Sequence, residues 1–96
     1  MADLNYTKGE WRIEHYPDSQ IKIHSGFESI CGLTYDGKVA DEVEANAHLI
    51  AAAPDMYEAL ERLVDYLNYL GVPEDCEDQY EEANKALAKA EGKEDK

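Results

Sequence analysis

Basic residues are scarce in this sequence. Lys and Arg together number 9 against 22 Asp and Glu, which gives a formal net charge of −13 at pH 7. Most of the excess follows residue 36, where sixteen acids stand against six bases. Such a surface repels phosphates, so we expect no direct binding to nucleic acid and none to an anionic membrane. A basic surface on another protein would be attracted to it.

Long hydrophobic runs are also missing. No stretch approaches the ~20 apolar residues of a membrane-spanning helix. The first residues lack the basic segment followed by an apolar segment that marks a secretory signal. We therefore expect a soluble protein that is not secreted and does not enter a membrane.

Motifs for catalysis, metals and cofactors are absent as well. The two cysteines, Cys31 and Cys76, form no CxxC pair, and the three histidines show no ligand spacing. The glycines form no phosphate-binding loop, and there is no nucleophile elbow. Without export features, reduced thiols are expected rather than a disulfide. The sequence predicts a protein that is not an enzyme and needs no metal or cofactor.

Three short segments with a two-residue repeat occupy the first part of the chain. They cover residues 11–16, 20–24 and 27–35, and turn residues separate them at 17–19, 25–26 and 36–37. Connections this short predict a three-stranded antiparallel meander. The third segment is the most apolar, and we expect it to be the middle or best-covered strand.

Helical periodicity dominates from Asp41 onward. Asp41 suits an N-cap, with Glu44 in the capping-box position. Pro54 cannot donate an amide hydrogen bond and disfavours helical geometry before it, so we expect the helix to break or kink there, with a second helix starting at Pro54. After Pro54 the apolar residues recur as on one helix face packed on a core. They are Met56, Leu60, Leu63, Leu67 and Leu70, widened by Tyr57 and Val64.

A third helix is predicted after Gly71 and Pro73, which are typical stop and start residues. The predicted fold class is therefore α+β, with a three-stranded antiparallel β-meander followed by a helix broken at Pro54 and a third, C-terminal helix. At 96 residues the chain is expected to form one domain. We predict a flexible N-terminal arm over 1–9, a single α+β domain over 10–92 and a frayed tail over 93–96.

Residues 42–60 read EVEANAHLIAAAPDMYEAL. This stretch resembles a helix–Pro–helix module, EANAxLIAAAPxxxEAL, of small proteins from tailed bacteriophages and prophages, where short strands precede it. The resemblance covers about a fifth of the chain. It implies phage or prophage origin and action in the bacterial host cytoplasm, and it implies no particular activity.

Acidic stripes and exposed aromatic residues are the candidate partner-binding features. Carboxylates recur at three- to four-residue spacing on the two C-terminal helices, and two tyrosines fall off the main apolar stripe, where they could anchor an interface. A competing interpretation is a solvated acidic face that keeps a small protein soluble. The candidate residues are Asp55, Glu58, Glu61, Asp65, Tyr66, Tyr69, Glu74, Glu77, Asp78, Glu81 and Glu82.

Three functions remain open from the sequence. The first is a phage protein that binds and inhibits a host protein with a basic surface, such as a nucleic-acid-binding protein, by mimicking nucleic acid as some anti-CRISPR proteins do. The second is an oligomeric sponge for a nucleotide immune signal, although Arg12, Lys22 and Lys38 are the only bases near the sheet. The third is a homodimeric structural or accessory phage protein that binds no ligand.

Overall fold

The computed structural model describes residues 5–17, 20–34 and 40–93. The elements follow in the order β1 (Arg12–His15), β2 (Ile21–Ser25), β3 (Glu28–Leu33), α1 (Ala40–Leu70), a 3₁₀ helix (Glu74–Cys76) and α2 (Glu77–Ala90). The α+β prediction is confirmed. Residues 5–54 and residues 55–93 form two compact units, each described separately below. The predicted arm, domain and tail limits stay predictions, and residues 1–4 and 94–96 lie outside the described residues.

The sheet is an antiparallel meander in the order β1-β2-β3. The middle strand is therefore β2, and the expectation that the third strand would be central is wrong. Because each short turn returns the chain beside the strand it has just left, the second of three strands gains neighbours on both sides. Burial follows position, since Ile21 and Ile23 are 1% and 0% exposed.

The third strand is shorter than predicted. Phe27 lies in the turn before β3 and is fully exposed, and Tyr35 and the predicted turn at 36–37 lie outside the described residues. Gly26 has a φ of 61° and occupies the first position of a two-residue hairpin turn, where a positive φ is needed and glycine is favoured. Ile30 is an extra residue between the pairs Ile23–Cys31 and His24–Ser29, so β3 carries a β-bulge.

The core of the 5–54 unit joins the sheet to the first half of α1. Its fully buried members are Ile21, Ile23, Val43 and Ala47. Each large aliphatic side chain buried in this way stabilises the fold by roughly 1.5–3 kcal/mol. The side chains packed around these four are Trp11, Ile13, Ile30, Cys31, Leu33, Ile50 and Ala51.

The start of α1 agrees with the sequence, but its acidic residues act differently from the prediction. The helix begins at Ala40, so Asp41 lies within the first turn rather than before it. A carboxylate there still suits the positive end of the helix dipole. Oε2 of Glu44 lies 2.6 Å from Nε2 of His15. Glu44 therefore links α1 to β1.

Helix α1 is continuous from Ala40 to Leu70, with Pro54 inside it. The predicted break, with a separate helix beginning at Pro54, is wrong. A proline within a helix removes one hydrogen bond, here to the carbonyl of Ile50, and crowds that carbonyl. Residues 51–53 are alanines, the strongest helix formers, and they favour continuation up to the proline.

Glycines end both helices of the 55–93 unit. Gly71 has a φ of 94° and its N–H donates to the carbonyl four residues back, at 2.8 Å, which confirms the predicted stop. Gly92 has a φ of 75° and donates to the carbonyl of Lys89, while the N–H of Lys93 donates to the carbonyl of Ala88. These two bonds form a Schellman motif, which fixes the end of α2.

Candidate functional site

The candidate site lies in residues 55–93, which we call the C-terminal hairpin. It consists of the second half of α1, the connection after Gly71, and α2. The hydroxyl of Tyr57 donates to Oε2 of Glu91 at 2.7 Å, and the hydroxyl of Tyr80 donates to Oδ1 of Asn68. Because an early residue of the first helix meets a late one of the second, the two helices run antiparallel.

The buried face of the hairpin covers only one side of the predicted apolar stripe, where Val64 is buried and Tyr57, Leu60 and Leu67 are half-buried. Val64 and Leu87 are buried, with 4% and 9% exposure. Met56, Leu63 and Leu70 were expected in the core but are 49%, 54% and 59% exposed. That expectation is wrong because α2 packs along the edge of the stripe, on the side of Val64, and leaves its centre uncovered.

An open groove of about 330 Å³ runs between the two helices. Val64 and Leu87 form its apolar part, and Glu61, Asp65 and Glu91 are among the acids that line it. The pKa of Tyr57 is raised, mainly by its hydrogen bond to Glu91 and then by burial. The groove therefore combines half-buried carboxylates, Glu61 and Glu91, with an exposed one, Asp65, and with Lys93.

The predicted acidic residues separate into two groups along the hairpin. The first group occupies the first turns of the α1 half and comprises Asp55, Glu58, Glu61 and Asp65. It lies opposite the end of α2, where the basic residues are Lys85, Lys89 and Lys93. The second group lies at the other end of the hairpin, so the two stripes are displaced along it rather than level. The second group comprises Glu74, Glu77, Asp78, Glu81 and Glu82.

The second acidic group is the more strongly negative. Residues 74–82 contain six acids and no base, whereas residues 55–65 contain four acids and Arg62. Glu74, Glu77, Asp78, Glu81 and Glu82 are all exposed. Within residues 5–17, 20–34 and 40–93, the structure shows none of these five in an ion pair. We call residues 74–82 the acidic segment.

The two predicted interface tyrosines lie on the surface. Tyr66 is 58% exposed and Tyr69 is 85% exposed. Tyr80, by contrast, is half-buried and hydrogen-bonded to Asn68. These two tyrosines precede the acidic segment in the sequence. Exposed tyrosines anchor many protein interfaces, and charged residues guide the approach of a partner, so this part of the chain contains both kinds of interface residue.

Two polar clusters in the 5–54 unit were not predicted from the sequence. Glu44 lies between His15 and His48, with oxygen to Nε2 distances of 2.6 and 3.9 Å. The four-residue spacing of Glu44 and His48 on a helix was the available indication. In the described residues no three His, Cys, Asp or Glu side chains are grouped so as to hold a metal ion.

The second cluster surrounds Glu14. The hydroxyl of Tyr16 donates to Glu14 at 2.9 Å, and Arg12 pairs with Glu14 at 2.9 Å. These hydrogen bonds, first from Tyr16 and then from Arg12, lower the pKa of Glu14. Nζ of Lys22 lies 5.1 Å from the centre of the Tyr16 ring. Two of the three bases that a nucleotide sponge would need are therefore already engaged, and Lys38 lies outside the described residues.

Both cysteines lie in the described part of the chain. Cys31 is half-buried beside the core, Cys76 is exposed, and both are free thiols. None of the helices in the described residues is both long and apolar enough to cross a membrane.

Residues 1–94 match the family model described as Salmonella phage P22 protein Y8K6. No curated protein and no solved structure matches the chain. The predicted phage origin is confirmed at the level of the family, and the resemblance to the EANAxLIAAAPxxxEAL module stays a prediction. The chain belongs to the family of the Salmonella phage P22 protein Y8K6, a family of small phage proteins.

Proposed function

We propose that this protein is a non-enzymatic phage product that binds and inhibits a basic host protein in the bacterial cytoplasm. The acidic segment takes the place of nucleic acid on that partner, and Tyr69, the more exposed of the two candidate tyrosines, anchors the contact. The observation that carries the proposal is the run of exposed carboxylates over residues 74–82, uninterrupted by any base.

Charge density supports mimicry of nucleic acid. Six acids occur in nine residues, and a helix rises only about 1.5 Å per residue. One charge therefore occurs roughly every 2 Å along the segment, close to the ~1.7 Å per charge of double-stranded DNA. A Lys- and Arg-lined channel that accepts DNA would be attracted to this segment.

A structural role competes with this proposal. Acids in the first turn of a helix are stabilising because they face the positive end of the helix dipole. That explanation covers Glu77 and Asp78 in the first turn of α2. It does not cover Glu81 and Glu82, which lie beyond the first turn and are exposed. These two residues are therefore the most informative to change.

The experiment is affinity purification of the tagged protein from a bacterial host at low salt, followed by a salt gradient and mass spectrometry. We expect a nucleic-acid-binding protein that elutes at moderate salt and is also displaced by double-stranded DNA. The double variant Glu81→Gln/Glu82→Gln should release that protein at lower salt. The matched control is Glu10→Gln/Glu28→Gln, which removes the same charge from exposed positions in the 5–54 unit.

Two outcomes would contradict the proposal. If the captured protein binds DNA and the phage protein simultaneously, the acidic segment does not occupy the nucleic-acid site. If both double variants shift the elution equally, only net charge matters, and the acidic segment has no special role.

A further inference from the structure

The most apolar stripe of the C-terminal hairpin faces solvent. Met56, Leu63 and Leu70 are each about half-exposed, and Ala59 and Tyr66 beside them are exposed as well. We call this surface the outer face. A soluble protein rarely leaves a contiguous apolar surface of this kind uncovered unless something binds there.

We propose that a second copy of this chain covers the outer face, with the two copies related by a two-fold axis near Leu63. Met56, Leu63 and Leu70 are spaced seven residues apart, which is two helical turns. The spacing reads the same in both directions along the helix. An antiparallel copy centred at Leu63 therefore places Met56 opposite Leu70, and Tyr66 opposite the small side chain of Ala59. A two-fold interface requires self-complementarity of this kind.

Charge distribution favours a second copy despite the net charge of −13. At 100° per residue, Glu61 and Asp65 lie about 160° around the helix from Leu63, and Glu58 lies about 140° from it. These three acids are thus turned away from the outer face, and Asp55, about 80° from Leu63 at the edge of the face, would lie level with Gly71 of the second copy rather than with another carboxylate. Two copies can meet there without bringing these carboxylates together, whereas a basic partner helix would find no charge to pair with.

The size of the outer face predicts a weak dimer. A fully covered aromatic side chain buries ~150–250 Å². Covering the exposed part of Tyr66 together with the half-exposed aliphatic side chains would therefore bury on the order of 400 Å² of surface on each copy. Two copies would bury somewhat less than the ~1,000 Å² typical of a minimal specific interface. We therefore expect reversible dimers that form as the protein concentration rises from micromolar towards millimolar. Tyr69, about 120° around the helix from Leu63, lies outside this face.

The test is sedimentation equilibrium of the full chain across that concentration range. The wild type should change from the monomer mass to twice that mass, and Leu63→Glu should remain monomeric. The matched control is Phe27→Glu, which replaces a fully exposed apolar residue in the 5–54 unit with the same charge and should still dimerise. Circular dichroism should show equal helix content in all three proteins.

Charge reversal locates the axis. Because Leu63 should meet its own copy, Leu63→Glu and Leu63→Lys should each be monomeric alone but form a heterodimer when mixed. A wild type that stays monomeric at every concentration would overturn the proposal. A dimer that survives Leu63→Glu, or a mixture that fails to associate, would also overturn it, because the contact would then lie elsewhere. None of these results depends on capture of a host protein.

Discussion

Replacing Tyr57 with Phe tests the contact that joins the two ends of the C-terminal hairpin. The change removes only the hydroxyl, which donates to Glu91 at 2.7 Å and has a second, longer contact of 3.5 Å with Oε2 of Glu61. A hydrogen bond to a charged group contributes about 1.5–3 kcal/mol, and water can replace part of it because the Glu91 side chain keeps 13% of its exposure. We expect Tyr57→Phe to lower the free energy of unfolding by about 1–2 kcal/mol. For a domain of this size the melting temperature should fall by roughly 4–16 °C.

The assay is urea unfolding followed by circular dichroism, with Tyr69→Phe as the matched control. Tyr69 is 85% exposed, so the same chemical change there should stay within about 0.5 kcal/mol of the wild type. The urea slope should be unchanged if only the hydrogen bond is lost. Equal stabilities for the two variants would refute the assignment of this bond as a stabilising link.

The pH dependence of the same variant provides a second check. The pKa of Tyr57 is raised in the folded protein by the hydrogen bond to Glu91 and by burial. Because the pKa of Tyr57 is higher in the folded than in the unfolded protein, its hydroxyl stabilises the fold fully at pH values below the unfolded-state pKa of about 10. This stabilisation is lost as the pH rises towards the folded-state pKa. The stability gap between wild type and Tyr57→Phe should therefore narrow above about pH 10. A gap that widens there would contradict this sign.

Two further predictions concern a helix end and an acidic pKa. Gly92→Ala should lower the free energy of unfolding by about 1 kcal/mol, because its φ of 75° is strained for any residue with a Cβ, and thermal unfolding should show this. An unchanged melting temperature would mean that the end of α2 adds nothing to stability. The pKa of Glu14, followed by NMR titration, should lie below the ordinary value of a glutamate, and Tyr16→Phe should raise it, because the Tyr16 hydroxyl is the main cause of the shift. An unmoved pKa in that variant would assign the shift to Arg12 instead.

Much of the topology could be predicted because local rules decide it. Two-residue alternation marks Ile21 and Ile23 as inward-facing, and turns this short permit only a meander. Gly71 ends α1 because its left-handed conformation is open to glycine at little cost. In each case the deciding residues are close together in the sequence.

The wrong predictions concern features that depend on residues far apart in the sequence. The third segment is more apolar than β2, yet strand order, not apolar content, determines which strand is central. The local rule for Pro54 predicted a break or kink with a second helix starting there, but α1 continues through Pro54 as one helix because a single lost hydrogen bond is small against the helix on both sides. The stripe through Leu63 has the spacing of a core face, but spacing does not tell whether the covering surface belongs to the same chain.

For the candidate site, the sequence could predict which side chains are exposed but not how the two helices place them relative to one another. The acids and the exposure of Tyr66 and Tyr69 followed from periodicity. Periodicity within each helix does not determine how two antiparallel helices align, so it could not show that the acids of the α1 half lie opposite Lys85 and Lys89. The acidic segment at 74–82 contains no base, and the next base in the sequence, Lys85, follows it by three residues.

The salt dependence of partner affinity tests the central claim most directly. With the captured host protein purified, its dissociation constant for the phage protein would be measured between low and moderate salt, for the wild type and for Glu81→Gln/Glu82→Gln. If the acidic segment mimics nucleic acid, affinity should fall steeply with salt, and the variant should show both weaker binding and a shallower slope. An affinity that is independent of salt, or a variant with an unchanged slope, would contradict the account.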